Sequence, residues 1–285
     1  LSDASQSRCV YFLSNPDKGD AASVMEDLRS FADSRCTIVG SSLGFDGRAA
    51  VEAGADRIVV IGGDGTLIGV ARSLGLDQRP LIGVNVGKLG FLAEFSIDEL
   101  KSCFDRAIRD DTIISRRTVL QVTVRHEGDV RDASLAVNDC VIQAGPPFRI
   151  IKLGITINGA HLSNVGGDGL IVCTPSGSTA HNLSAGGPIM QPGVDAIVLT
   201  PLSPHSLTHK PLVVERESVI DILALDVNEG TTAIIDGQVS HLLRPGDRVT
   251  IRRFDSDFLL VHNPLYAEWH NLVTKLHWGR APSCE

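Results

Sequence analysis

The 285-residue sequence predicts an α/β N-terminal domain on an open, mostly parallel sheet, an all-β C-terminal domain of two packed sheets, and a C-terminal helix returning to the first domain. Three observations carry that expectation. Apolar β-branched runs alternate with helical patterns up to about residue 115. From Arg116 the rhythm changes to short alternating runs separated by turn dipeptides. An apolar stripe at helical spacing then reappears after Pro264. The domains therefore read as 1–115 joined by 263–285, and 116–262.

Taken in order, Cys9–Leu13 is a short apolar strand, and Val24, Leu28 and Phe31 place a helix within Asp20–Ser34. Thr37–Val39 reads as a strand and Gly47–Gly54 as a short helix. Arg57–Ile61 and Leu81–Val84 are continuous apolar runs of the kind buried on both faces of a parallel sheet, with a helix over Thr66–Leu74 between them. Ser96 and Glu99 form a capping box ahead of a helix carrying Leu100, Phe104 and Ile108. In the second half Leu120, Val122 and Val124 alternate with polar residues. Turn signals recur at Glu127-Gly128-Asp129, Asn158-Gly159, Asp236-Gly237 and Pro245-Gly246-Asp247, between β-rich runs such as Leu170–Cys173, Ala233–Ile235 and Arg248–Ile251. Pro264 suits a first helical turn, and Leu265, Trp269, Leu272, Val273 and Leu276 follow as one stripe.

Composition narrows the function. A net charge of −8 argues against nucleic acid, which needs a basic footprint. It leaves room for phosphate ligands held by backbone amides, helix N-termini and a bridging metal. No apolar run approaches the roughly 20 residues of a membrane span. The six cysteines are scattered without a CxxC pair, which fits reduced thiols in a cytoplasmic protein.

Four motifs invite chemistry. Gly62-Gly63-Asp64-Gly65-Thr66 follows a buried strand, where open α/β sheets bind ligands. Its glycines admit a phosphate chain, while its aspartate would repel one unless it faces a metal or a hydroxyl; the plain alternative is a strand-to-helix turn capped by Asp64. Asn85-Val86-Gly87-Lys88-Leu89-Gly90-Phe91-Leu92 follows the next strand and fits neither GxGxxG nor a Walker A loop; it reads as a second ligand turn or as core. Asn138-Asp139 could grip a vicinal diol, or be an Asx turn. Asp168 to Pro188 contains Thr174-Pro175-Ser176-Gly177-Ser178-Thr179-Ala180-His181, a run of small residues that implies close approach to a ligand or a tight packing seam. Gly40–Gly44 also fits G-x-S-x-G, but no Asp and His complete a triad. His205 and His209, flanked by Pro204 and Pro211, read as loop residues.

In this order, GGDGT, NxGxLGFL, ND, DGLIVxTPxGSTAxxLSAGGP and IDGQ resemble the NAD kinase family, from Gly62 to Gln238. GGDG alone is shared with diacylglycerol kinases and phosphofructokinases, whose N-terminal fold the resemblance implies; the long central motif is not shared. The resemblance implies phosphorylation of the 2′-hydroxyl of NAD, and potentially of NADH, by ATP with a divalent metal held mainly by ATP phosphates. Asp64 would be the catalytic acid–base group. Gly62, Gly63, Thr66 and Gly87 would receive ATP phosphates, and Gly65 and Phe91 would line the adenosine side. Asn138 and Asp139 would hold ribose and adenine, and Asp168 the nicotinamide end. Thr179, Ala180, His181, Asn182, Leu183 and Ser184 would cover adenine and ribose. Arg149 would lie near the dinucleotide, and Asp236 and Gln238 would complete the pocket. The family also implies a homodimer or homotetramer.

The chain departs from the pattern at Ser176, usually Thr, and at His181, usually Tyr, where an imidazole replaces the stacking phenol ring. In the family an Arg two places before the Asp168 position accompanies preference for NAD over NADH; here Gly166 implies use of both. The rival readings are a GGDG-type lipid or small-molecule kinase and a non-catalytic NAD(P) sensor. The central motif and the lack of a basic amphipathic stretch speak against the first, and the presence of Asp64 against the second.

Overall fold

A computed structural model describes residues 7–17, 19–87, 90–267 and 269–276. The chain divides into two compact units, Leu1–Ser115 with Leu259–Glu285, and Arg116–Phe258.

The first unit holds a six-stranded sheet in the order Thr37–Leu43, Cys9–Ser14, Arg57–Ile61, Leu81–Val84, Phe258–Val261 and Ile114–Arg117. The first five strands pair in parallel. Alternate residues of the central strands bury opposite faces. Val10, Phe12, Val59, Ile61, Ile82 and Val84 pack with Leu28 of helix Ala21–Ala32 and with Leu100, Phe104 and Ile108 of helix Ile97–Arg109. On the other face Leu67 of helix Asp64–Leu74 lies so close to Gly83 that a Cβ there would stand 2.7 Å from its Cδ1. This two-sided burial is why the strands read as unbroken apolar runs. The Ser96–Glu99 capping box forms as expected: Ser96 N–H donates to Glu99 Oε2 at 2.8 Å, and Glu99 N–H to Ser96 Oγ at 3.3 Å.

Two stretches differ from the sequence expectation. The second strand extends through Leu43, so Ser42 lies inside a strand and forms no nucleophile elbow. The C-terminal helix is described over His270–Lys275, not from Pro264. Asn263 forms a turn first, its Oδ1 accepting from Leu265 N–H at 3.1 Å and its carbonyl from Tyr266 N–H at 3.2 Å.

The second unit is a sandwich of two six-stranded sheets. One runs Ala160–Gly167, Ile151–Ile157, Ile220–Asp226, Arg248–Arg253, Leu120–His126, Asp129–Ala136. The other runs Leu212–Glu215, Ala196–Leu202, Gly169–Cys173, Asp139–Gln143, Thr232–Ile235, Val239–Leu242. All their pairings are antiparallel. Leu120, Val122 and Leu153 of the first sheet meet Ile142, Leu170 and Val172 of the second in one core. The outer face of the second sheet carries a smaller cluster, in which Val141, Ile171 and Val198 pack with Met190. Among the described residues, no helix is long and apolar enough to cross a membrane.

Candidate active site

In the first unit the site forms where strand Arg57–Ile61 ends. Gly62 N–H donates to Val84 O at 2.8 Å, tying the turn to the neighbouring strand end, and Gly63 caps helix Asp64–Leu74. Asp64 opens that helix, where the dipole favours an anion. Its Oδ2 accepts from Phe91 N–H at 2.7 Å, and its Oδ1 from Leu92 N–H at 3.0 Å and Ala93 N–H at 2.9 Å. Three of roughly four carboxylate acceptor positions are thereby filled, leaving one for a further donor. A Cβ on Gly90 would stand 1.9 Å from Asp64 Oδ1, so only glycine admits the carboxylate. The two glycine-rich turns are therefore one device, in which the second fixes the acid of the first. The sequence places both turns at strand ends, where they could line one crevice, but carries no sign of this coupling.

The other residues of these turns divide by exposure. Thr66 is buried, and its Oγ1 accepts from Asn15 Nδ2 at 3.1 Å; a Cβ on Gly62 would lie 2.5 Å from that oxygen. The Thr66 side chain thus braces the turn from beneath. Gly63 and Gly87 have nothing within 4 Å of a built Cβ, Gly87 at φ +121°, and Gly65 is exposed. Phe91 is half-buried. Lys88 and Leu89 lie outside the described residues.

In the second unit a cleft of about 430 Å³ is lined by Asn138, Asp139, Val141, Gln143, Ala180, His181, Ile234, Asp236 and Gly237. Asp139, Val141 and Gln143 share one face of a strand, and Ile234 pairs with Val141 across the ladder. Asp236 and Gly237 form the hairpin turn with positive φ of 50° and 67°. The turn has a second use. Asp236 Oδ1 accepts from Asn138 N–H at 2.7 Å and Asp139 N–H at 3.1 Å, and its Oδ2 from Val137 N–H at 3.0 Å. Asp139 itself is 4% exposed, and burial, reinforced by the Asp236 charge, pushes its carboxyl up to about 7.

The small-residue segment is stapled beneath this pair. Thr174 N–H donates to Asn138 O at 2.8 Å and Thr174 Oγ1 to Val137 O at 2.6 Å, and a Cβ on Gly177 would come within 2.1 Å of Asn138 O. Asn182 is fully buried. Its Nδ2 donates to Ser178 O at 3.2 Å and Pro188 O at 3.0 Å, and its Oδ1 accepts from Thr200 Oγ1 at 2.6 Å. The Asn182 side chain is thus committed to the scaffold, beside Ala180 and His181, which line the cleft.

Of the expected dinucleotide residues in this unit, the cleft gathers Asn138, Asp139, Ala180, His181 and Asp236. Thr179 and Leu183 are half-buried beside it in sequence, Ser184 is exposed, and Arg149, Asp168 and Gln238 are exposed residues outside its lining. Val141, Gln143 and Ile234 were missed. The period-two spacing from Asp139 was the available signal, masked by their ordinary strand character. Among the described residues, no group of three or more His, Cys, Asp or Glu side chains could hold a metal ion.

Comparison with known proteins accords with these features. Models of the ATP-NAD kinase N-terminal and C-terminal domains match residues 21–112 and 137–263. An NAD kinase of Rhodopirellula baltica is 35% identical over 95% of this chain and 86% of its own length. An NAD kinase of Geotalea daltonii is 41% identical over 79% of each. Among solved structures, a yeast NADH kinase complexed with NADH superposes with a TM-score of 0.85 at 23% identity, covering 99% of this chain and 91% of that one. An NAD kinase from Archaeoglobus fulgidus in complex with ATP gives 0.75 at 25% identity, covering 94% and 98%. Fold and relatives together define a phosphotransferase that acts on a hydroxyl group. The chain belongs to the NAD kinase family, and its reaction is phosphorylation of the 2′-hydroxyl of NAD.

Two outcomes follow from this geometry. Gly90→Ala forces the Asp64 carboxylate or its turn to shift, and NADP formation is expected to fall by roughly 10²-fold, the scale of a misplacement of about 1 Å; steady-state assay of the folded variant checks it. Asp139 keeps its proton in the folded chain at pH values where the unfolded chain has lost it. Its contribution to stability is thus fully present below the usual carboxylate range and is lost as pH rises through about 7. Asp139→Asn is expected to raise the melting temperature at pH 8, with at most about 4 kcal/mol available from the shift, and the gain should vanish near pH 4. Melting curves at the two pH values test this.

Proposed function

We propose that Asp64 is the acid–base group of the transfer and that the cleft of Arg116–Phe258 receives the adenosine half of NAD. The observation that carries this reading is the Asp64 carboxylate, held by three amides at a strand's carboxyl end with one acceptor position left over. Phosphoryl transfer needs alignment and charge neutralisation more than covalent chemistry. Asp64 orients the 2′-hydroxyl and takes its proton. A carboxylate is a far weaker base than an alkoxide, so proton transfer follows bond formation to phosphorus. Gly63, Gly65 and Gly87 leave room for the ATP phosphates to come close to backbone. A divalent metal bound with the ATP phosphates would supply neutralisation of the developing charge. Since no protein ligand cluster is available among the described residues, the polyphosphate itself would provide most of its ligands.

In the cleft, Asn138, Asp139 and His181 offer amide, carboxyl and imidazole groups to the sugar and base, over an apolar floor of Val141 and Ile234. Arg149, Asp168 and Gln238 are assigned to the parts of the dinucleotide beyond the cleft, and Thr179, Leu183 and Ser184 to the rim. The unpaired state of the five described cysteines supports a cytoplasmic setting. Exposed Phe148, at 72%, and Leu207, at 89%, support a homodimer or homotetramer, in which a second copy would cover such surface.

Asp64→Asn is expected to bind NAD nearly normally and to lose turnover by roughly 10²–10⁴-fold. Incubation with NAD, ATP and Mg²⁺, read as NADP formed, tests it; a variant that keeps most of its activity refutes the assignment. Substrate preference has its own test. Gly166 lies on strand Ala160–Gly167, and a Cβ there would make only ordinary contacts, the nearest 3.8 Å from Ile150 Cγ2. The chain is expected to use NAD and NADH with similar kcat/KM, and Gly166→Arg to shift the ratio towards NAD. A strong NAD preference in the unaltered chain refutes this.

A further inference from the structure

An aspartate at a polyphosphate turn poses an electrostatic problem, because it repels the chain it must meet. The first unit places a lysine within electrostatic reach of that aspartate. Lys275, the last residue of helix His270–Lys275, has its Nζ buried and, among the described residues, without a hydrogen-bond partner. The ammonium stands 4.7 Å from the centre of the Phe91 ring, and Phe91 N–H is the 2.7 Å donor to Asp64 Oδ2. An ammonium removed from water without a partner is costly, and a ring face offsets only part of that cost. Burial accordingly pushes Lys275 down from the usual lysine range, opposed by the charges of Asp64 and Glu94, the two carboxylates that act on it.

These two acids are not equivalent. Glu94 is 5% exposed; its Oε2 accepts from Asn263 N–H at 3.0 Å and lies 2.6 Å from His262 Nδ1. Glu94 thus has an imidazole nitrogen beside it as well as a backbone amide. Asp64 is held by three backbone amides, and amide dipoles leave a net charge in place.

We propose that Lys275 is a positioning residue for phosphoryl transfer, whose ammonium offsets the Asp64 charge from across the Phe91 ring so that the triphosphate of the donor can approach the Gly62–Gly65 turn. The inference rests on the reading of Asp64 given above. It assigns to the C-terminal helix a part in donor use.

The test uses the full chain. Lys275→Met keeps the apolar stem and removes the charge. It is expected to lower kcat/KM for ATP roughly tenfold or more, as for other residues coupled through contact, while KM for NAD stays within about twofold. Lys275→Arg should retain most activity, and methylammonium added to Lys275→Ala should restore part of what the truncation removes. In an Asp64→Asn background, Lys275→Met should add little further loss, because its partner charge is already gone. Full activity in Lys275→Met overturns the inference. So does a loss that raises both KM values together, lowers the melting temperature and is not relieved by methylammonium, which is the pattern of a helix held only by packing. An active Asp64→Asn variant would overturn the reading of Asp64 itself, whereas an inactive Asp64→Asn beside an active Lys275→Met overturns this inference alone.

Discussion

Both functional regions depend on the same interaction, a carboxylate capped by three consecutive backbone N–H groups. Asp64 takes the amides of Phe91, Leu92 and Ala93, and Asp236 those of Val137, Asn138 and Asp139. Charge-assisted bonds of this kind are roughly twice as strong as neutral ones. Here they join segments 27 to 29 residues apart in one case and 97 to 99 in the other. Each clamp fixes a side chain and a stretch of backbone together, so neither element can move without losing the bonds of the other.

Such clamps are possible only where the backbone can be approached. Gly90 beside Asp64 and Gly177 beside the Asn138 carbonyl are positions where any side chain would overlap an atom already in place. The hairpin Asp236-Gly237 contributes differently. Its left-handed backbone turns the Asp236 carboxylate back onto strand Asp139–Gln143 instead of out to solvent. Glycine thus serves the protein by admitting its own side chains and carbonyls as much as by admitting ligand.

The fold was legible because its signals are local. Continuous apolar strands, a capping box at Ser96 and turn dipeptides each follow from a few neighbouring residues, and the family pattern named the chemistry. What was not legible depends on distant pairs. Nothing within Asn85–Leu92 reveals that its amides serve Asp64, and nothing around Thr66 or Asn182 reveals that their polar groups are occupied by Asn15 and Thr200. The late start of the last helix has the same origin, since Pro264 suits a first helical turn but Asn263 closes a different one.

What separates the two clamps is the neighbour each is given. Asp236 stands beside a second acid, and its fixed negative charge reinforces the burial that keeps a proton on Asp139. A carboxyl that retains its proton near neutral pH can donate as well as accept, which suits recognition of a sugar or base edge. Asp64 acts instead on the ammonium of Lys275. A group that must share space with a polyphosphate needs its charge offset, not transmitted to a second acid. The same three-amide cradle therefore has a second acid as its neighbour in one unit and a lysine in the other. The difference lies in the side chain set against each carboxylate, Asp139 or Lys275, rather than in the amides that hold it.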